Sequence, residues 1–479
     1  MQDSCRIARR AQAAWGTRPL ADRLQIVRRL RHGIAAQAAD LCHAVGHEES
    51  RRAADTLVAE VIPLADACKF LERASPALLA PRRLGRRGRP AWLFGSVAEI
   101  RREPLGVVLI LAPANYPLLI PGVQIVQAIA AGNAVVVKPA PGGGAVMRTL
   151  ADMLGRAGLP DGVLTVLDDT VDAGRAALRG DVDKVLLTGS VDTGRQVLGA
   201  LAPRLVPATM ELSGNDAVFV LPGANLPLAV EALAYGLRFN GSATCIAPRR
   251  VFVIGQPEEA LTGPLAAALA ALPAVPVPTA VMSRLAPLLD EAAGAGCRFI
   301  PARPEAGAPV MAPVAVTGAA PELGLMRADI FAPVLSVMAV PDEAAALAAA
   351  TQCPYALGAS IFGPEDAARD LAGRVDAGSV TINDLIVPTA DARLPFGGRG
   401  ASGFGVTRGG EGLLELTNVK TVITRQGTFR PHYDPPRADD EALFTAYVEA
   451  VHGVGWQHRL AAWRTVLGLL SQRGRPARR

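Results

Sequence analysis

The residue of this sequence that first raises a chemical question is Cys245, in the segment RFNGSATCIAPRR. It follows a helical-looking segment and stands among small residues, which leave a thiol easy to reach. Neither a cysteine nor a histidine lies near enough in sequence to form a local metal site, a disulfide or a cysteine–histidine pair. The role of this lone sulfur therefore has to be inferred from other segments of the chain.

Two further segments carry side chains suited to proton transfer and to the stabilisation of negative charge. Glu211, in MELSGN, ends a strand-like run. A carboxylate withdrawn from water there has a raised pKa and can act as a general base, although a surface ion pair is the alternative. Asn115, in APANYP, lies in an uncharged loop where its amide can donate a hydrogen bond to an oxyanion; an ordinary turn residue is the alternative.

A second group of residues is suited to a ligand that carries phosphate and ribose. Lys138, in VVVKPAPGG, ends a buried strand, where ligands of open α/β sheets collect. Gly189, Ser190 and Gly194, in LLTGSVDTGR, lie at a strand-to-helix turn whose amides can approach a phosphate. An ordinary surface lysine and a tight turn without a ligand remain the alternatives, since the glycine spacing departs from GxGxxG.

The elements that must position these residues are predicted best in residues 104–137, which carry no charge. Pro113, Pro117 and Pro121 would break a membrane-spanning helix repeatedly. The segment instead predicts a buried strand (GVVLIL), a loop (APANYP), a helix (VQIVQAIAA) stopped by Gly132, and a second strand (AVVVK). This is a βαβ unit.

Strand-like and helix-like segments continue to alternate, which predicts a doubly wound parallel sheet. After Cys245 the segments RRVFVI, LSVMAV, GASIFG and GSVTIND predict a second α/β domain. Near the start of the chain, the spacing of Leu20, Leu24, Val27 and Leu30 predicts an amphipathic first helix.

The length and composition narrow the classes of protein. A chain of 479 residues has material for about three domains, or two with a large insertion. Its six cysteines form no close pair, which is typical of reduced cytosolic thiols, and we expect no signal peptide. The net charge is +5, but the arginines of residues 82–102 and the basic end SQRGRPARR lack interleaved aromatics and any nucleic-acid motif. An arginine-rich solvated surface is therefore favoured over a nucleic-acid partner.

Taken together, these stretches resemble the NAD(P)-dependent aldehyde dehydrogenase superfamily, from Trp15 to about Lys420. The motifs follow the family's order: EPLGVVLILAPANYP, AIAAGNAVVVKPAP, LLTGSVDTGR, MELSGN, NGSATCIAPRR, DIFAPVLSV, LPFGGRGASGFG and TNVKTVI. The TCIAP segment and the short N-terminus are more like the class 3 branch, which acts on fatty and aromatic aldehydes. The resemblance implies two doubly wound parallel-sheet domains and a small bridging element that supports a homodimer or homotetramer. The implied boundaries are a cofactor-binding domain at 1–87 and 106–211, a catalytic domain at 212–414, a bridging element at 88–105 and 415–430, and a tail at 431–479.

The resemblance also implies a role for each candidate residue. Cys245 is the nucleophile that adds to the aldehyde, the Asn115 amide and the Cys245 backbone N–H hold the oxyanion, and Glu211 activates the hydrolytic water. The remaining implied residues hold NAD or NADP: Lys138 at the adenosine ribose, Gly189, Ser190 and Gly194 at the pyrophosphate, Asp329 at the nicotinamide ribose, and Phe331 beside it.

Several positions depart from the family's pattern. Ser242 and Ala243 replace Gly-Gln before the nucleophile, so the loop geometry is expected to differ there. Asp329 stands where the family has glutamate, one methylene longer, and Ala332 replaces glycine. Ala114 replaces tryptophan, which leaves the neighbouring pocket roomier. Pro141 stands where NAD-preferring members often carry a glutamate that repels a 2′-phosphate, so NADP stays open alongside NAD.

Two other functions remain to be weighed against aldehyde oxidation. A coenzyme A-acylating relative generally lacks the glutamate matched by Glu211, and a non-catalytic homologue would not need the thiol, amide and lysine positions filled. The low charge of the predicted loops favours a hydrophobic aldehyde. Near the end, Leu460, Trp463, Leu467 and Leu470 follow one helix face before several arginines. This pattern predicts either a helix packed on its own domain or a partner subunit, or peripheral membrane contact by a cytoplasmic enzyme.

Overall fold

The computed structural model of the chain describes residues 2–46, 51–305, 308–428 and 430–473. Within these residues the α-helices are α1 (Gln2–Trp15), α2 (Leu20–Ala36), α3 (Ala38–Val45), α4 (Ala53–Thr56), α5 (Ile62–Leu78), α6 (Leu119–Ala131), α7 (Gly144–Ala157), α8 (Val171–Leu178), α9 (Val191–Leu201), α10 (Leu226–Arg238), α11 (Glu259–Ala270), α12 (Thr279–Gly294), α13 (Glu343–Ala350), α14 (Glu365–Ala372), α15 (Gly409–Leu414), α16 (Asp440–His452) and α17 (Trp456–Arg473).

The strands within the same residues are β1 (Arg82–Leu84), β2 (Ser96–Pro104), β3 (Val107–Leu111), β4 (Ala134–Lys138), β5 (Leu164–Val166), β6 (Lys184–Thr188), β7 (Ala208–Glu211), β8 (Asp216–Val220), β9 (Pro248–Ile254), β10 (Val275–Pro276), β11 (Arg298–Ile300), β12 (Val310–Met311), β13 (Val314–Thr317), β14 (Val334–Val340), β15 (Tyr355–Ala356), β16 (Gly358–Phe362), β17 (Ser379–Ile382), β18 (Arg399–Gly400), β19 (Gly403–Phe404) and β20 (Thr417–Arg425). Backbone proximity divides the chain into two units, Met1–Arg83 with Glu99–Val422 and Leu84–Ala98 with Ile423–Arg479.

The first large sheet of the first unit has the strand order β19-β7-β6-β3-β4-β5, with only β19 antiparallel to its neighbour. Side chains of β3 alternate between two apolar cores. Val108 and Ile110 pack with helices α2, α5, α6 and α7, whereas Val107 and Leu109 pack with α1, α8 and α9. A strand covered by helices on both faces must be apolar throughout, which explains the charge-free run that the sequence shows here.

The second large sheet has the order β11-β13-β14-β9-β8-β16-β17, and only β11 runs antiparallel to its neighbour. Val218 and Val251 face helices α10 and α11, while Phe219 and Phe252 stack at 5.4 Å between ring centroids on the opposite face, beneath α13 and α14. Two parallel sheets covered by helices confirm the predicted α/β fold class. The change from one sheet to the other falls between β7 and β8.

Two predicted local features have different outcomes. Gly132 ends α6 in the left-handed conformation, at φ 94°, as the sequence predicts. The predicted first helix is wrong in one respect: the spaced leucines form α2, and another helix, α1, precedes it. Trp15, at the end of α1, is buried in the apolar core, where its indole N–H donates to the Ile129 carbonyl oxygen at 3.1 Å.

The C-terminal helices of the second unit pack on each other through the small side chains of Ala446, Ala450 and Ala462, and Trp463 makes an edge contact with Tyr447 at 5.9 Å. Three members of the predicted apolar face, Leu460, Leu467 and Leu470, are exposed, whereas Trp463 is turned toward the partner helix. Among the described helices, none combines the length and the low polarity that crossing a bilayer requires. The last basic residues, 474–479, lie outside the described part of the chain.

Candidate active site

An open cavity of about 620 Å³, its mouth included, brings Cys245 and Glu211 together in the first unit. Glu211 is the last residue of β7, and Cys245 lies in the loop between α10 and β9. The backbones that carry them also meet, since a Cβ on Gly214 would collide with the carbonyl oxygen of Cys245. The wall is mainly apolar and includes Val58, Ala59, Tyr116, Leu119, Ile120, Phe239, Thr244, Ile246, Ile386, Val387, Thr389, Ala390, Phe396 and Arg408.

The loop before the nucleophile turns through three consecutive left-handed residues, Asn240 (φ 54°), Gly241 (φ 56°) and Ser242 (φ 63°). Asparagine and glycine adopt this region readily, but serine seldom does. Ser242 is the position at which the sequence departs from the family's glycine. The expected change in the loop therefore takes the form of a serine held in a conformation that favours glycine.

A buried arginine, Arg249, compensates for this strained position. Its guanidinium donates to the Ser242 Oγ at 2.9 Å and to the Ser242 carbonyl oxygen at 2.5 Å. It also donates to the Ala332 carbonyl oxygen, to which the Ser242 hydroxyl donates at 3.1 Å. Arg249 thus ties the nucleophile loop to the loop that contains Asp329 and Phe331.

Asn115 lies directly against the nucleophile loop. Its side-chain amide donates to the Ala243 carbonyl oxygen at 2.9 Å. Its own carbonyl oxygen accepts a hydrogen bond from the Asn240 amide at 3.0 Å, and the neighbouring Tyr116 hydroxyl bonds the Thr244 hydroxyl at 2.7 Å. The structure therefore brings the predicted oxyanion donor and the predicted nucleophile loop together, with one amide N–H of Asn115 engaged by that loop.

A buried ion pair between Arg51 and Glu60 contacts both the loop before Cys245 and the segment that follows Asn115. Arg51 donates to the Asn240 side-chain oxygen at 2.8 Å. The second carboxylate oxygen of Glu60 accepts the backbone N–H groups of Leu118 and Leu119, at 2.7 and 3.0 Å. A carboxylate at the start of α6 meets N–H groups that lack partners within the helix, so it anchors the segment immediately after Asn115.

Glu211 is almost completely withdrawn from water, with 3% of its surface exposed. The Thr407 hydroxyl donates to its Oε2 at 3.4 Å, and its buried Oε1 has no hydrogen-bond partner among the described residues. Burial raises the pKa of Glu211, and the positive charge of Arg408 and the Thr407 bond oppose this. A carboxyl group of this kind is suited to take a proton near neutral pH.

The thiol of Cys245 is held in its neutral form by its surroundings. Burial raises its pKa well above the usual range, and the carboxylates of Glu211 and Asp216 act in the same direction. Arg408 opposes them. Reaction as a nucleophile therefore requires an additional positive charge or a proton acceptor near the sulfur.

The predicted cofactor residues lie at the carboxyl edge of the first sheet. Lys138 ends β4, and burial lowers the pKa of its ammonium group while Asp169 opposes the shift. Gly189 and Ser190 follow β6, where the exposed Ser190 caps α9 by accepting the Thr193 N–H at 3.2 Å. Because β4 and β6 flank β3, these residues lie close together at the carboxyl edge of the sheet, the edge at which open α/β sheets bind dinucleotides.

The two other predicted cofactor residues have different structural settings. Gly194 packs within α9 against Leu212, so close that a Cβ would lie 2.9 Å from the Leu212 Cδ1, and its requirement for glycine is one of packing. Asp329 and Phe331 precede β14. The buried Oδ1 of Asp329 has no hydrogen-bond partner among the described residues, and burial raises the pKa of this carboxyl. An unpaired buried acceptor fits the hydroxyl groups of a ribose.

Five residues of this site were not predicted from the sequence: Arg51, Glu60, Asn240, Arg249 and Arg408. Most of their contacts join positions that are distant in the chain, and two shorter separations, 9 for Arg51 and Glu60 and 7 for Arg249 and Ser242, match no local motif. One signal was available for Arg249, because it stands beside Arg250 in the buried strand β9 and charges in a buried strand require partners.

Comparison with known proteins agrees with this geometry. Residues 1–422 match the aldehyde dehydrogenase family. The chain is 30% identical over 436 residues to a protein named "Probable coniferyl aldehyde dehydrogenase" from Pseudomonas aeruginosa, covering 87% of this chain and 90% of the relative. It is 33% identical over 356 residues to the vanillin dehydrogenase of Pseudomonas fluorescens, covering 71% and 73%.

The solved structure of an NAD-dependent aldehyde dehydrogenase from Sinorhizobium meliloti is similar to this chain, with a TM-score of 0.83 and 26% identity over 91% of this chain and 89% of that one. The fold, the paired cysteine and glutamate, and the extent of the match lead to one conclusion. The chain belongs to the aldehyde dehydrogenase family and is an oxidoreductase that uses NAD or NADP.

Proposed function

We propose that the protein oxidises a hydrophobic aldehyde, aliphatic or aromatic, to its carboxylate. The observation that carries the proposal is the cavity in which Cys245 and Glu211 face a mainly apolar wall. Apolar walls favour a substrate whose body loses contact with water on binding. The names of two relatives, a coniferyl aldehyde and a vanillin dehydrogenase, support an aromatic aldehyde, as does the resemblance to the class 3 branch.

The first step in this proposal is loss of the Cys245 thiol proton to water and addition of the thiolate sulfur to the aldehyde carbon, which gives the oxyanion of a thiohemiacetal. The negative charge that develops on the aldehyde oxygen is held by the Asn115 amide and the backbone N–H of Cys245. The support of Asn115 by Asn240 and Arg51 fixes this amide relative to the sulfur, so little reorganisation is needed during reaction.

The cofactor residues keep the roles implied by the family. Lys138, Gly189 and Ser190 would hold the ribose and phosphates of NAD or NADP, with Gly194 allowing α9 to pack close to its sheet. Asp329 and Phe331 would position the nicotinamide ribose and ring. When bound, the cofactor accepts a hydride, and its cationic ring supplies positive charge near the sulfur.

Glu211 completes the reaction by removing a proton from the water that attacks the thioacyl group on Cys245. The carboxylate product leaves and the thiol is restored. An acylating enzyme that transfers the group to coenzyme A is disfavoured, since a buried carboxylate facing the sulfur serves hydrolysis. A non-catalytic homologue is disfavoured because the nucleophile, amide and base all lie in one site.

Assembly, location and domain roles belong to the same proposal. We infer a cytoplasmic homodimer or homotetramer, with cofactor-binding segments 1–87 and 106–211, a catalytic segment 212–414, and bridging segments 88–105 and 415–430. Peripheral membrane contact is assigned to the exposed side chains of Leu460, Leu467 and Leu470. Replacing these three leucines by serine is expected to abolish co-sedimentation of the full chain with anionic vesicles. Unchanged sedimentation, or none by the unaltered chain, contradicts the membrane assignment.

Steady-state rates for matched aliphatic and aromatic aldehydes, each with NAD⁺ and NADP⁺, test the main proposal. We expect carboxylate formation with a higher kcat/KM for apolar than for small polar aldehydes, and no stimulation by coenzyme A. Product that forms only when coenzyme A is added would establish the acylating alternative. The absence of turnover, together with no protection of Cys245 from iodoacetamide by either cofactor, would establish the non-catalytic one.

A further inference from the structure

The apolar cavity contains a charged side chain, that of Arg408, whose role in the proposed reaction is so far limited to its electrostatic effect on Glu211 and Cys245. It precedes α15 and adopts a left-handed backbone conformation, with φ 60°. Such conformations are costly for a residue with a side chain and persist where the surrounding structure requires them. The backbone therefore holds this side chain in the cavity at an energetic cost.

Arg408 forms no direct ion pair among the described residues, although the Glu211 carboxylate in the same cavity interacts with its charge at longer range. Its Nη1 donates to the Thr389 carbonyl oxygen at 3.1 Å, and its guanidinium carbon lies 4.2 Å from the ring centroid of Phe396. No other hydrogen bond of this side chain is present among the described residues, and no carboxylate of those residues lies within 4.0 Å of it. A guanidinium has five N–H donors in a fixed planar arrangement, so donors remain for a ligand.

A cation in an apolar wall that lacks a direct ion pair is unfavourable, and an anion that arrives with the ligand would offset this cost. Arginine binds carboxylates and other anionic oxygens through its planar set of donors. The ring of Phe396 fixes the plane of the guanidinium, and the Thr389 carbonyl fixes one end of it. The free donors are thereby held in a defined orientation within the substrate cavity.

We propose that Arg408 makes this enzyme selective for aldehydes whose apolar body carries an anionic oxygen, a carboxylate or a phenolate. The inference rests on the proposed function, since it assigns a substrate class to the same cavity. The apolar wall contacts the body of the substrate, and Arg408 contacts its charged substituent. Arg408 is thus a specificity-determining residue in addition to the nucleophile and base.

The test compares 4-carboxybenzaldehyde, 4-hydroxybenzaldehyde and 4-methylbenzaldehyde, which have similar size, in the full-length enzyme. The readout is the ratio of kcat/KM for each charged aldehyde to that for the methyl compound. Because a para phenolate donates electrons and lowers the reactivity of its aldehyde, each ratio is compared between the unaltered enzyme and the variant. In Arg408→Gln we expect this ratio to fall roughly 10- to 100-fold, the range for lost hydrogen bonds to a charged group. Arg408→Lys should keep part of the preference. Arg393→Gln, which removes a nearby exposed arginine paired with Asp391, should keep all of it.

The use of a ratio separates selectivity from any general effect on the reaction. A fall confined to 4-carboxybenzaldehyde identifies a carboxylate, and one confined to 4-hydroxybenzaldehyde above its own pKa identifies a phenolate. Equal losses for the charged and neutral aldehydes would overturn the inference while leaving aldehyde oxidation intact. No oxidation of any of the three by the unaltered enzyme would instead refute the proposed function.

A second experiment measures inhibitor binding to the unaltered enzyme, so it does not require that the Arg408 variants fold. In the unaltered enzyme, 4-methylbenzoate and its neutral isostere 4-methylbenzamide can be compared as inhibitors. We expect the anion to bind at least about 10-fold more tightly, for the same electrostatic reason. Equal inhibition by the two compounds would contradict an anion-binding role for Arg408.

Discussion

The ion pair beneath the two reactive loops provides the sharpest test of how this site is supported. Glu60 accepts bonds from the Arg51 guanidinium and from the backbone N–H groups of Leu118 and Leu119, and both side chains of the pair are buried. In Glu60→Gln the shape is nearly preserved, but one oxygen becomes an N–H₂ group that cannot accept. The guanidinium of Arg51 then has no negative partner in a buried position.

The expected loss of stability in Glu60→Gln follows from the unpaired charge of Arg51. Removing one partner of a buried ion pair costs about 3–5 kcal/mol, because the remaining charge stays out of water. The free energy of unfolding should fall by this amount. Since Arg51 also holds Asn240, and Asn240 holds the Asn115 backbone, we expect kcat/KM to fall as well. A displacement of about 1 Å in reacting groups costs on the order of 100-fold.

Urea unfolding and steady-state kinetics measure the two effects together. Glu365→Gln is the matched control, because Glu365 forms an exposed pair with Arg369 at 2.8 Å on α14. It should lose no more than about 0.5 kcal/mol and keep its activity. If Glu60→Gln were as stable and as active as this control, the support assigned to the buried pair would be refuted.

Two other predictions concern the nucleophile loop and the base. Arg249→Met should destabilise the protein by about 1–3 kcal/mol, because it leaves the buried carbonyl oxygen of Ser242 without a donor and removes one of the donors to the Ala332 carbonyl oxygen; the exposed Arg298→Met is the control, and equal urea midpoints would contradict the supporting role of Arg249. Because burial raises the pKa of Glu211 and only its ionised form accepts a proton, hydrolytic kcat should rise with pH through a midpoint above that of an ordinary glutamate. Arg408 opposes that shift, so Arg408→Gln should move the midpoint of the kcat–pH profile to higher pH, and an unmoved or lowered midpoint would count against this electrostatic account.

The parts of the fold that follow from local pattern were predictable from the sequence. The strand at Val107–Leu111 is apolar at every position because helices cover both of its faces, and Gly132 ends a helix where φ is positive. Glu211 stands at a strand end, and Cys245 in a loop of small residues. Each of these features depends on neighbours within a few positions, so a local sequence pattern is enough to predict it.

Most of the supporting contacts could not be predicted in this way, because they join residues that are far apart in the chain. Arg51 reaches Asn240 across 189 positions, and Ser242 meets Ala332 across 90. In the sequence, Arg408 cannot be distinguished from a surface arginine. Only the structure shows its contacts with Phe396 and Thr389. For the same reason the sequence alone indicated no arginine for an anionic substrate, whereas the cavity provides one.

The central claim, that Cys245 carries the acyl group and Glu211 releases it, is tested most directly in Glu211→Gln mixed with aldehyde and whichever of NAD⁺ and NADP⁺ the unaltered enzyme uses. We predict a rapid burst of reduced cofactor equal to the number of active sites, followed by little turnover, with the acyl mass located by mass spectrometry on the Cys245 peptide. Cys245→Ser should show neither the burst nor the adduct. Sustained hydrolysis by Glu211→Gln, or an acyl group found on another residue, would contradict the account.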